Sequence, residues 1–231
     1  YNQVSAGVIE KLKAIVGERN VALDPDKLYP YSHDEVTDPR YHHMPEVVVY
    51  PESTEQVAQI VKLANTALVP LVPRGAGTGL ACGAVPIHGG IVVAMEKMNK
   101  ILEINEEAMY MVVEAGARTE EVQKAAGEVG LFYAGDPCSG DSCFIGGNVA
   151  TNAGGNRAIK YGTTRDQVYA LEVVTPTGEI TTLGGRLRKC STGYPLEHMI
   201  MGSEGTLGII TKVTLKLLAK PQHVMDLLLV F

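Results

Sequence analysis

Cysteine is scarce. Four residues, Cys82, Cys138, Cys143 and Cys190, are spread over 231 positions, too few for a disulfide scaffold at this length. No C-x-x-C pair exists, which excludes a zinc ribbon or a thioredoxin-type site. Positive charge is also short. Twenty Lys+Arg face 26 Asp+Glu, a formal net charge of −6, and a nucleic-acid groove would need a basic stripe. A membrane span needs about 20 mostly apolar residues. The uncharged stretch from Gly75 to Met95 has that length but carries six glycines, Pro86 and His88, so it predicts no transmembrane segment. No basic-then-apolar leader opens the sequence. Together these absences predict a soluble, cytoplasmic protein that binds no nucleic acid.

What is present reads as a folded α+β chain. Hydrophobic residues make up 45%, ordinary for a globular protein with a real core, and charged residues 20%, slightly low. Residues 1–44 read as a helix and a connecting segment: Ser5 caps, Val8, Leu12, Ile15 and Val16 share a face, and Gly17 stops the helix. Leu23 to Met44 has no period. The adjacent pair His42-His43 is a poor metal site, because neighbouring residues on a loop rarely converge on one ion.

From Pro45 strands and helices alternate. Glu46 to Tyr50, Pro70 to Pro73, Ile91 to Ala94, Ile101 to Ile104 and Met109 to Val113 read as strands. Ser53-Thr54-Glu55-Gln56 fits a capping box ahead of Val57, Ile60, Val61 and Ala64. Thr119 caps a helix carrying Val122, Ala125, Ala126 and Val129. Gly135 to Gly155 reads as a long loop, of the kind that serves a ligand. Pro176-Thr177-Gly178 reads as a hairpin turn between Leu171–Thr175 and Glu179–Leu183, and Gly208 to Leu218 as a strand. The expected organisation is two interlocked α+β subdomains, 45–120 and 121–220.

Three glycine-rich runs carry the chemistry. Pro73-Arg74-Gly75-Ala76-Gly77-Thr78-Gly79-Leu80 follows a strand, and its glycines let backbone amides approach a ligand as a nest for phosphate oxygens. It is neither a G-x-G-x-x-G fingerprint, since Leu80 stands where glycine is needed, nor a P-loop, since no G-K-[ST] follows. The second run, Ile145 to Gly155, brackets small residues with two Gly-Gly pairs and suits a flat ligand lying against backbone. The third, Gly202 to Ile210, is a loop entering a strand. Three such loops in one domain imply one elongated cofactor.

In their order and spacing these runs resemble the p-cresol methylhydroxylase-type FAD-binding domain. Within that superfamily the sequence is most similar to the D-lactate dehydrogenase and glycolate oxidase flavin-subunit branch, over about Pro45 to Pro221. The resemblance implies one FAD across both subdomains. Gly75, Ala76, Gly77, Thr78 and Gly79 would hold the pyrophosphate, flanked by Arg74 and Leu80, with Gly83 and Ala84 close by. Asp136, Pro137, Ser142, Gly146, Gly147, Asn152 and Gly155 would line the ribityl and isoalloxazine side. Glu204, Gly208, Ile209 and Ile210 would flank the adenosine part through backbone. Relatives with covalent flavin often place histidine where Thr78 stands, and Cys138 and Cys143 are offset from the cysteine that some relatives link, so noncovalent FAD is expected.

The resemblance also implies a following cap domain that holds the catalytic residues. The apolar ending over 221–231 reads as the first strand of such a cap, and residues 1–231 alone are then expected to be inactive. No metal cluster or acid/base pair is visible, and His88, His198 and Tyr161 read as structural. The implied function is oxidation of a small 2-hydroxy acid, with electrons passed to an electron-transferring flavoprotein or another redox partner. The alternatives are a flavin-carrying electron-relay subunit and a same-fold flavoenzyme such as a cell-wall precursor reductase.

Overall fold

The computed structural model describes residues 1–223, 225 and 227–229. In chain order the elements are α1 (Ala6–Val16), β1 (Val21–Ala22), α2 (Pro25–Leu28), β2 (Val47–Val49), α3 (Thr54–Ala67), β3 (Leu71–Arg74) and β4 (Ile91–Ala94). There follow β5 (Ile101–Asn105), β6 (Tyr110–Glu114), α4 (Thr119–Glu128), β7 (Leu131–Phe132), α5 (Ile145–Thr151), α6 (Ala158–Tyr161), β8 (Val168–Val174) and β9 (Ile180–Gly184). The series closes with α7 (Glu197–Ile200), β10 (Ile209–Lys216) and β11 (Leu218–Ala219). The expected strand over 221–231 rests on Val224, Asp226, Val230 and Phe231, which lie outside the described residues. Among the described residues, no helix is long and apolar enough to cross a membrane.

The first sheet has the order β1-β2-β4-β3. β2 and β3 both run parallel to β4, with Val48 opposite Val92 and Val72 opposite the same residue. Such strands must bury both faces, which explains the unbroken apolar runs Val47–Val49 and Ile91–Ala94. Val47, Val49, Ile91 and Val93 pack with Leu12 of α1 and Ile60 of α3, whereas Val48, Val92 and Ala94 pack with Leu28 and Tyr31. Leu23 to Met44, read as a plain connection, thus contains α2 and covers the second face of the sheet.

The second sheet is antiparallel, in the order β5-β6-β10-β8-β9. β5 and β6, expected within 45–120, pair here, so the chain changes sheets between Ala94 and Ile101. Alternating apolar residues reveal a strand but not which sheet receives it. Met111, Val113, Leu171, Val213 and Leu215 join the core that holds α1 and α3, so one core serves both sheets. A polar latch ties α3 to the second sheet: the Thr54 hydroxyl donates to Glu172 Oε1 at 2.6 Å, and Lys212 Nζ lies 3.0 Å from the same carboxylate.

Local readings hold at several ends. Ser5 Oγ accepts from the Val8 N–H, and Ser53 Oγ accepts from the Gln56 N–H. Gln56 Oε1 returns to the N–H of Glu52 rather than to Ser53. Thr119 lies inside α4, after Arg118 at the cap position, and its hydroxyl is buried against Asn148. The hairpin at 175–179 joins β8 to β9 as expected. The Gly135–Gly155 loop is interrupted by α5. Gly146 and Gly147 in its first turn lower helix propensity, but packing of Gly146 against Ala115 fixes the helix.

Candidate cofactor site

A cleft of about 500 Å³ opens where the β3–β4 loop, the 137–154 segment and the 204–210 segment meet. That volume falls in the range of small-molecule and cofactor sites. Its walls are mostly glycine, alanine and other small residues.

The β3–β4 loop begins at Arg74, which is buried. Its guanidinium donates to Pro30 O at 3.0 Å and to Ala84 O at 3.4 Å, and lies over the Tyr31 ring at 5.4 Å. Burial pulls this guanidinium below its usual range, against the opposing pull of Tyr31, Asp34 and Glu96. Arg74, expected to flank the pyrophosphate, directs its donors to a carbonyl of the preceding segment, Pro30 O, and to one inside the loop, Ala84 O. Gly77 has φ +77°, a region open to glycine at no steric cost. Among the described residues no protein acceptor meets the N–H groups of Ala76, Gly77, Thr78, Gly79 and Leu80. Successive free amides of this kind form an anion-binding concavity.

Opposite that loop, α5 brings Gly146, Gly147 and Ala150 to the cleft wall. A Cβ on Gly75 would lie 3.5 Å from the Cα of Gly147, and one on Gly146 would strike Ala115. The helix is fastened from behind: Asn148 Nδ2 donates to Thr119 Oγ1 at 2.8 Å, and Cys143 Sγ lies 3.2 Å from the same oxygen. Asn152 closes α5 in a left-handed conformation, φ +49°. Its Oδ1 accepts from the Thr163 hydroxyl and the Arg165 N–H, each at 2.9 Å. At the third wall the Glu204 N–H donates to Ala150 O at 2.9 Å, and its carboxylate reaches toward Gly83 across the cleft.

The cleft wall therefore gathers 74–80, Gly83, Ala84, Pro137, Gly146, Gly147, Asn152, Glu204, Gly208, Ile209 and Ile210. Three expected residues do not line it. Ser142 is exposed and bonded to Ser139 O and Asp141. Asp136 turns to Arg157 at 3.4 Å, and its carbonyl abuts Gly155, so that glycine serves a chain crossing. Sequence reasoning missed Asp34, Cys143 and Asn148, which do line the cleft. None lies in a glycine run except Asn148, whose amide could have been noted between Gly147 and Asn152.

The free amides and the small-residue walls of the cleft suit a flat cofactor carrying phosphate. Residues 45–184 match the family described as "FAD binding domain". The chain belongs to this FAD-binding family. It is 46% identical to the D-lactate dehydrogenase of Anaerostipes hadrus, over 99% of this chain and 48% of that protein. It is 40% identical to glycolate oxidase subunit GlcD of Bacillus subtilis (strain 168), over 99% of this chain and 48% of that protein. The chain spans about half the length of these relatives. A crystal structure of p-cresol methylhydroxylase with substrate bound superimposes with a TM-score of 0.81 at 24% identity, covering 94% of this chain and 44% of that one. The fold is therefore the mixed α+β architecture of p-cresol methylhydroxylase, as the glycine runs led us to expect.

Proposed function

We propose that the cleft binds FAD noncovalently and serves an oxidoreductase acting on a small 2-hydroxy acid of the D-lactate or glycolate type. An electron-transferring flavoprotein or a similar redox partner would take the electrons. The observation that carries this reading is the meeting of three separate glycine-rich segments on one cleft. The names of the two sequence relatives support the substrate class.

The free amides of Ala76 to Leu80 would receive the diphosphate oxygens. Gly146, Gly147 and Ala150 offer bare walls to the flat part of the cofactor, and α5 is held rigid by Thr119 and Asn148. When bound, FAD would supply a two-electron acceptor: the α-carbon hydrogen of a 2-hydroxy acid would pass to it as hydride and the hydroxyl proton to solvent or a base, giving the 2-oxo acid. The protein's part is binding, orientation and electrostatic tuning. Cys143 lines the cleft but its thiol is engaged by the Thr119 hydroxyl, and Cys138 does not line the cleft, which supports the noncovalent reading.

The test is anaerobic mixing of the full-length flavoprotein with D-lactate or glycolate. The yellow absorbance should bleach with at least one of them. If neither acid bleaches a flavin that dithionite does bleach, the electron-relay alternative replaces this reading.

A further inference from the structure

Asp34 stands in the segment read as a plain connection and ahead of the matched family region, which begins at residue 45. It is buried, and it lines the cleft. Its Oδ2 accepts the Cys82 N–H at 2.7 Å, across a sequence separation of 48 residues. Its Oδ1 accepts the Val36 N–H at 2.9 Å, the local turn that aspartate commonly makes with the residue two on. The next residue grips the same loop from the other side, since the Glu35 N–H donates to Gly79 O at 3.0 Å. Cys82 is thereby held at φ +58°, a conformation costly for a residue with a side chain.

We propose that Asp34 is a positioning residue for the cofactor's diphosphate. It fixes the 79–82 backbone so that the amides of the 76–80 turn are already arranged before the cofactor arrives. The inference rests on the reading that this cleft holds FAD, and goes beyond it by assigning a determinant outside the glycine runs. A loop that visits its binding conformation only part of the time binds more weakly by that fraction. Both oxygens of Asp34 are engaged by backbone donors, so its charge is partly offset where an anionic ligand must come near. Arg74 acts from the other end of the same loop, joining Pro30 O to Ala84 O. The segment from Pro30 to Glu35 thus anchors the loop at 74, 79 and 82, and Arg74 carries the hold on to 84.

The test is Asp34→Asn in the full-length protein. Asparagine keeps the oxygen for Val36 but sets an NH2 group against the Cys82 N–H. Loss of a charge-assisted bond predicts FAD affinity weaker by about ten- to a hundredfold. The visible spectrum of the flavin that does bind should match the parent, because the change lies at the diphosphate end. The thiol of Cys82 supplies a second, local readout. Burial and the Asp34 charge both push it up, so Asp34→Asn should speed its alkylation in the apoprotein.

A control is Glu172→Gln, which weakens the latch between α3 and the second sheet away from the cleft. It should lower the unfolding midpoint but leave FAD affinity within threefold. If Asp34→Asn does not fold, Asp34→Ser replaces it, since serine can cap the local turn but cannot reach Cys82. A folded Asn or Ser variant that binds FAD within threefold of the parent overturns the assignment. A parent that binds no FAD overturns the cofactor reading and this inference with it.

Discussion

The guanidinium of Arg74 fills the space that a side chain on Gly77 would need. Gly77→Val therefore meets a strained φ of +77° and a buried cation, before any ligand is considered. Overpacking costs about 1–3 kcal/mol, and each charge-assisted bond lost from the displaced loop adds about 1.5–3 kcal/mol. FAD affinity is expected to weaken by at least roughly a hundredfold, at about 1.4 kcal/mol per tenfold. Flavin titration by fluorescence quenching measures it, with circular dichroism to verify the fold. Gly127→Ala is the matched control: nothing lies within 4 Å of its added Cβ. It should leave affinity unchanged and stabilise α4 by about 0.5–1 kcal/mol. Gly77→Val binding within threefold of the parent would show that the loop is placed wrongly.

Thr119→Val tests the fastening of α5. Valine has the shape of threonine but no oxygen, so Asn148 Nδ2 loses its buried acceptor. An unsatisfied buried donor costs about 1–3 kcal/mol. For a chain of this size each kcal/mol lowers the midpoint by about 2–4 °C. Thermal unfolding reads the result; an unchanged midpoint would mean that the buried pair contributes nothing.

Alkaline pH should destabilise the fold through two tyrosines. Burial raises Tyr31 and Tyr133 above the ordinary phenol value, and at Tyr31 the hydrogen bond to Glu96 adds to it. A group raised in the folded state gives its full contribution below the unfolded pKa, here near 10, and loses it as pH rises further. Each tyrosine then removes about 1.4 kcal/mol per pH unit above that point. Urea unfolding at a series of pH values above 10 should show the slope, and Tyr31→Phe should flatten it. A stability curve flat through this range would refute the burial argument for both residues.

How much of this was legible in the sequence differs by residue. Glycine is chosen for what the backbone must do, so Gly75, Gly77, Gly146 and Gly147 announced the cleft by type and spacing. The uninterrupted β-branched residues of 47–49 and 91–93 likewise announced buried strands. α5 was not legible, because its first turn holds two poor helix formers and its stability comes from contacts with Ala115 and Thr119. Gly155 looked like the other glycines, yet it serves a crossing with Asp136. Arg74 was legible as the cation nearest the glycine loop, but its partners, Pro30 O and Ala84 O, are backbone atoms that no side-chain pattern displays. Asp34 was hidden for the same reason.

The most direct measurement is acid precipitation of the purified full-length protein, followed by identification of the flavin in supernatant and pellet. The account predicts one FAD per chain, released entirely to the supernatant, because the cleft holds it by backbone amides and bare walls. Colour that stays with the pellet would contradict the noncovalent reading. Protein purified without flavin, and unable to take up added FAD, would contradict the assignment of the cleft itself.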